Sequence, residues 1–235
     1  MALPPDNAES FAREVDENIR RDQMQEAARR YGWLIGGAVL LFLAAVAGYL
    51  YWQGRQASQA ELATEELVGV LTDVGSGNVA TAPARLDALR SADDGVGATA
   101  GLSRAALAVQ QGNRKLASTI YGQIAADTDL AKPYRDLATV RGTALDFDTI
   151  GPDAVIARLQ PLAEPGLPFF GSAGEMVGMA LIAKGQRGPA GQLFAKIAAD
   201  ESVPETLRSR AVQVAGTLGV DASASLPTGA ISAEQ

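Results

Sequence analysis

The side chains able to do chemistry in this sequence are few and widely spaced. There is no cysteine and no histidine. Without thiolates the chain forms no disulfide, thioether haem link or iron–sulfur site. Without imidazole it lacks the usual general base, the Ser-His-Asp and Cys-His arrangements, and most zinc sites. A Ser–Lys dyad is the common nucleophilic arrangement that this composition still permits. The lysines are Lys115, Lys132, Lys184 and Lys196, and Lys115 stands three residues from Ser118 on one expected helix. No local motif accompanies that pair, and two solvated side chains are the simpler reading. Carboxylates gather at Asp93-Asp94, at Asp127 and Asp129, and at Asp146 and Asp148. Such groups at loops and helix ends cap helices more often than they bind Ca²⁺, and the Asp-x-Asp-x-Asp-Gly pattern of a calcium loop is missing.

Two glycine-rich stretches have partial likeness to phosphate cradles. Gly95, Gly97 and Ala100 have the spacing of a dinucleotide fingerprint, but that motif needs a preceding strand, and Arg90 to Asp94 reads RSADD. The stretch Gly166 to Gly174 lacks the lysine of a phosphate loop and reads as a connector. No catalytic residue, cofactor, metal ligand or small-molecule substrate is therefore expected, and the chain is expected not to be an enzyme. The net charge of −7 also argues against nucleic acid, whose phosphates call for a basic stripe.

The elements that would carry any function are helices, beginning with one for a bilayer. From Tyr31 to Gln53 there is no charged residue, and Trp33 to Trp52 reads WLIGGAVLLFLAAVAGYLYW. Twenty residues at helical rise span roughly 30 Å, the hydrocarbon thickness of a membrane. Tyr31 and Trp33 stand at one end and Tyr49, Tyr51 and Trp52 at the other, the placement of an interfacial aromatic belt. Arg13, Arg20, Arg21, Arg29 and Arg30 precede the segment, whereas only Arg55 follows it before Arg85. The positive-inside rule then keeps the N-terminus in the cytoplasm and exports the remainder. The long n-region and long apolar stretch fit an uncleaved signal anchor better than a cleaved signal peptide. Gly32 with Gly36, and Ala44 with Gly48, give small-xxx-small pairs that let two membrane helices approach closely; small residues are also common in such helices without a partner.

Ahead of the anchor, Phe11, Val15 and Ile19 recur every four residues on an otherwise charged helix that Ser10 can cap. That stripe would lie on the membrane surface or on a partner, or merely extend the membrane helix. Beyond the anchor, helical periodicity predicts helices near 57–74, 80–91, 98–111, 114–127, 133–146, 152–163, 173–185, 188–200 and 204–218, with no strand pattern. Paired helices of this length joined by short turns are the signature of a solenoid. The organisation expected is a cytoplasmic arm over 1–30, an anchor over 31–53, a repeat domain over 54–219 and a disordered tail over 220–235.

Two stretches match each other. Residues 101–133 and 174–204 each hold a helix of small and aliphatic residues that ends at Gly plus a polar residue. A second helix follows with Ala-x-x-x-Tyr/Phe-x-x-Ile: Ala117, Tyr121 and Ile124, then Ala190, Phe194 and Ile197. Ala125-Ala126-Asp127 recurs as Ala198-Ala199-Asp200, and the Ala117-to-Ala190 separation is 73 residues. The pattern resembles tetratricopeptide repeats, whose period is 34. Gly178 and Leu181 fall where that consensus expects Gly and Tyr, while the 101–133 unit lacks the consensus Trp and Leu-Gly. With its short charged arm, single anchor, and a closing stretch in which Pro204-Glu205-Thr206-Leu207-Arg208 leads into Arg210-Ala211, the chain resembles the ancillary SecYEG translocon subunit family over about residues 10–219.

That resemblance implies an all-α protein of the bacterial inner membrane, with an N-terminal transmembrane helix and a periplasmic tetratricopeptide-like solenoid. It implies partners in the Sec translocon, periplasmic chaperones and exported clients, with the lipid bilayer around the anchor. In a tetratricopeptide-like stack the first helix of each pair lines the binding groove, which puts Glu175, Met179 and Ile182 there. The competing reading is an envelope-stress or signalling scaffold whose Phe11/Val15/Ile19 stripe holds a cytoplasmic regulator.

Overall fold

A computed structural model describes residues 6–92 and 94–225. The first helix, α1, runs Asp6–Gly75 without a break. The sequence led to separate helices on either side of Gly54, yet the linking residues Gln53 to Ala57 contain one glycine and no proline. A single glycine in a helix costs only about 1 kcal/mol against alanine and does not end it. The end comes at Gly75-Ser76-Gly77, where Gly77 turns left-handed at φ +86° and Asn78 N–H donates to the Asp73 carbonyl at 2.8 Å. The chain divides into two compact units between Gln59 and Ala60, so the membrane-length part of α1 and its C-terminal part belong to different units.

The second unit is built of helices throughout its described residues: after the end of α1 come α2 (Ala82–Leu89), α3 (Asp94–Gln110), α4 (Arg114–Ala126), α5 (Lys132–Asp146), α6 (Pro152–Leu159), α7 (Phe170–Ala183), α8 (Arg187–Ala199) and α9 (Glu205–Thr217). A 3₁₀ turn extends α6 over Gln160–Leu162, and another closes the chain at Ser223–Ser225. These bounds follow the expected ones closely, except that α3 begins at Asp94 rather than 98. Gly97 therefore sits inside a helix, where a Cβ would stand 2.9 Å from the Arg90 carbonyl oxygen. The close approach of α3 to the preceding turn explains the glycine; a phosphate cradle does not.

The turns are set by short-range chemistry. Gly112 after α3 and Gly185 after α7 both take positive φ, +76° and +77°, as residues just past a helix end commonly do. In each case the next N–H closes the turn: Asn113 onto Ala108 at 2.8 Å, Gln186 onto Leu181 at 2.9 Å. The Asn113 side chain then caps α4 by accepting from Leu116 N–H at 3.1 Å. Pro83, Pro133 and Pro152 occupy first-turn positions of α2, α5 and α6, where the missing N–H costs nothing.

Each helix packs on the next, and α3, α5, α7 and α9 also touch in sequence, so they form one row while α4, α6 and α8 lie on the other side. The core divides into successive clusters along this row. Leu67 and Val70 of α1 meet Leu86 of α2 and Leu107 of α3. Ala105 and Ala108 of α3 meet Ile120, Tyr121 and Ile124 of α4 and Ala138 of α5. Val155 and Leu159 of α6 pack with Val140 and Val177, and Phe194 and Ile197 of α8 pack with Phe170, Ala211 and Ala215. Each cluster is supplied by consecutive helices, the arrangement of a stack whose members contact only their neighbours.

Candidate protein-binding site

The surface proposed from sequence lies on α7. Glu175, Met179 and Ile182 follow the i, i+4, i+7 spacing of one helix face. Met179 is 45% exposed. Ile182 is partly buried against the cluster that holds Phe194 and Ala211. Glu175 turns toward α9, where its two carboxylate oxygens accept from Arg210 Nε at 2.5 Å and Nη2 at 2.9 Å. This fork-shaped pair aligns the face with the row of first helices, and the carboxylate holds the Arg210 guanidinium above its ordinary pKa, chiefly through the hydrogen bond. Arg210 was absent from the sequence-based site, because a residue 35 positions away on the next-but-one helix leaves no local signal. Val109 of α3, 73 residues before Ile182, is also exposed, so the corresponding position four helices earlier carries apolar surface.

The repeat seen in the sequence is a repeat of contacts. A Cβ on Gly101 of α3 would stand 3.0 Å from Ile124 of α4, and one on Gly174 of α7 would stand 2.9 Å from Ile197 of α8. Both glycines lie 73 residues apart, as do both isoleucines. The helix pair α5–α6 and the connector at 163–169 account for the interval. Asp127 accepts from Asp129 N–H at 3.0 Å after α4, and Asp200 accepts from Ser202 N–H at 2.9 Å after α8. The family model of the tetratricopeptide repeat-like domain matches residues 28–215. The chain belongs to the tetratricopeptide repeat-like domain family. No curated protein and no solved structure matches it. Tetratricopeptide-like domains mediate protein–protein interaction and are typically non-catalytic scaffolds.

Other polar side chains pair locally or face solvent. Ser118 Oγ donates to Asp146 Oδ2 on α5 at 2.8 Å, while Lys115 is exposed to solvent. Asp200 keeps its carboxyl below the ordinary range, first through the Ser202 hydroxyl at 2.6 Å and then through the Ser202 N–H. Among the described residues, no three carboxylates gather into a metal-binding group.

In the first unit, α1 from Arg29 onward is long and apolar enough to cross a membrane, with mean hydropathy 2.1 over its most apolar window and none of that window buried. Trp33, Leu41, Phe42 and Trp52 are all exposed there, and the Arg55 guanidinium stacks over the Tyr51 ring at 5.0 Å. Gly32, Gly36 and Gly48 have no atom of the chain within 4 Å of a built Cβ, and Ala44 is exposed beside them. Phe11, Val15 and Ile19 belong to the same helix, but their side chains lie outside the described residues.

Proposed function

We propose that this protein is a membrane-anchored interaction scaffold whose exported repeat domain works beside the Sec translocon, receiving exported clients or the periplasmic chaperones that carry them. One observation carries the reading: a single family match spans both the apolar helix from residue 28 and the repeat array to residue 215. The arginine-rich arm before that helix supports a cytoplasmic N-terminus and a periplasmic array. The aromatic residues at both ends of 31–53 support a transmembrane anchor, and the small-residue face of Gly32, Gly36, Ala44 and Gly48 supports docking against other membrane helices. Within the array, the exposed Met179, flanked by the Glu175–Arg210 pair and by Ile182, supplies a flexible apolar contact suited to varied partners.

Photocrosslinking in intact cells tests this. A probe at Met179 is expected to capture envelope chaperones or exported proteins, and a probe at Gly32 the secretion channel. Capture of one signalling or envelope-assembly protein at both positions would replace the translocon reading with the regulatory scaffold.

A further inference from the structure

A groove lies among α4, α5 and α6. Its floor is α5, through Ala138, Gly142 and Thr143; one wall is α4, through Ser118, Gly122 and Ala126, and the other is Arg158 of α6. The cavity measures about 360 Å³, in the range of pockets that hold ligands. Its lining mixes small residues, among them Gly122, Ala125, Ala126 and Gly142, with Tyr121 and the hydroxyls of Thr139 and Thr143, and the Ser118–Asp146 hydrogen bond closes one end. Thr143 is 1% exposed, and its hydroxyl has no hydrogen-bond partner.

The 73-residue repeat shows what such a groove holds. Ser118, Gly122, Ala138 and Gly142 correspond to Gly191, Ala195, Ala211 and Ala215. At that second position the groove between α8 and α9 is filled by the chain's own last described residues. Val220 lies so close to α8 that a Cβ on Gly191 would stand 2.8 Å from it. Ala222 is buried among Phe194, Ala198, Ala211 and Ala215. Leu218, Val220 and Ala222 turn inward while Gly219, Asp221 and Ser223 are exposed, the alternation of a non-helical strand of chain. Arg208 fastens the far end, donating from Nε to the Ala198 carbonyl at 2.9 Å and from Nη2 to the Ser225 carbonyl at 3.4 Å. Its counterpart 73 residues earlier is Arg135, whose buried Nε has no partner.

We propose that the α4–α5 groove takes a short non-helical segment of another protein, with small apolar residues at alternate positions, as α8 and α9 take Leu218–Ala222. Small side chains suit a groove lined by Gly122, Ala126, Ala138 and Gly142, and the Thr143 hydroxyl offers a polar atom that a peptide backbone satisfies. The inference rests on the chain being a protein-binding scaffold and not on where it works.

The test uses the full chain in detergent micelles and a fluorescein-labelled peptide, LGVDASAS, the sequence of residues 218–225. Anisotropy is expected to show saturable binding that weakens about tenfold or more in Gly122→Trp and in Ala126→Trp. Gly122 is exposed with no atom within 4 Å of a built Cβ, so the bulky residue fills the groove without disturbing the core. Lys196→Ala, at an exposed position of α8, is expected to leave binding unchanged. The absence of saturable binding up to about 1 mM overturns the proposal. So does binding that survives both tryptophans, which would mean exchange into the chain's own α8–α9 seat. Self-association that disappears when residues 218–225 are removed would make a second copy the occupant, and overturns it as well. No secretion component enters the assay, so its failure leaves the translocon reading intact, and the reverse also holds.

Discussion

Gly178 of α7 faces the ring of Phe194 of α8 so closely that a Cβ built on the glycine would stand 2.6 Å from Phe194 Cε2. The ring is fully buried and has no room to retreat. A glycine inside a helix normally gains about 1 kcal/mol on replacement by alanine, but here a methyl group would push into a filled core. Overpacking of that kind costs about 1–3 kcal/mol and outweighs the helical gain. Gly178→Ala is therefore expected to lower the denaturant midpoint of the repeat domain with little change in slope.

Gly122 of α4 is the contrasting position. Nothing approaches a Cβ there within 4 Å. Gly122→Ala is expected to raise stability by about 0.5–1 kcal/mol, through helix propensity and a less flexible unfolded chain. The same denaturation experiment checks it, and the two glycines are expected to shift the midpoint in opposite directions.

Asp200 titrates below the ordinary aspartate range because the Ser202 hydroxyl and N–H both donate to it. A carboxyl with a lowered folded-state pKa adds stability that is complete above its unfolded value, near 3.9. That stability is lost as pH falls through the lower folded value. Ser202→Ala removes the hydroxyl and leaves the N–H, so the pKa is expected to rise toward ordinary, as followed by carboxyl NMR. The Tm difference between the two proteins should be present at neutral pH and close at strongly acid pH.

Ala222 is buried against α8 and α9 although it lies beyond the last helix. Ala222→Asp would bury a carboxylate among Phe194, Ala211 and Ala215, at a cost of about 1–3 kcal/mol or more. Amide hydrogen exchange is expected to quicken in α9 first, since that helix packs chiefly on α8 and has this segment as its cover.

The sequence exposed the helices well because each break carries its own local cause. Gly112, Gly185, Pro133 and Pro152 act within a few residues, and the structure honours each of them. The internal repeat was equally legible, since Ile124 and Ile197 sit on matched faces and meet matched glycines, Gly101 and Gly174. Two kinds of information were hidden. The unbroken run of α1 past Gly54 was missed because a lone glycine is a weak signal either way. The Glu175–Arg210 pair and the seat of Val220 on Gly191 depend on residues 35 and 29 positions apart, across helices whose register the sequence does not fix. The residues 220–225, read as part of a disordered tail for lack of apolar content, are instead placed by two alternate side chains and one arginine.

Leu218, Val220 and Ala222 also give the array a direction. A row of like units resembles a one-dimensional crystal, which can grow wherever its last layer presents the surface of the layer before. At the α9 terminus that surface is already occupied by the chain itself. At the opposite terminus, Leu62, Val68 and Leu71 of α1 remain uncovered. Two copies brought end to end thus find an apolar face on one side and a sealed one on the other. A layer added at the α9 end would first have to displace Leu218, Val220 and Ala222.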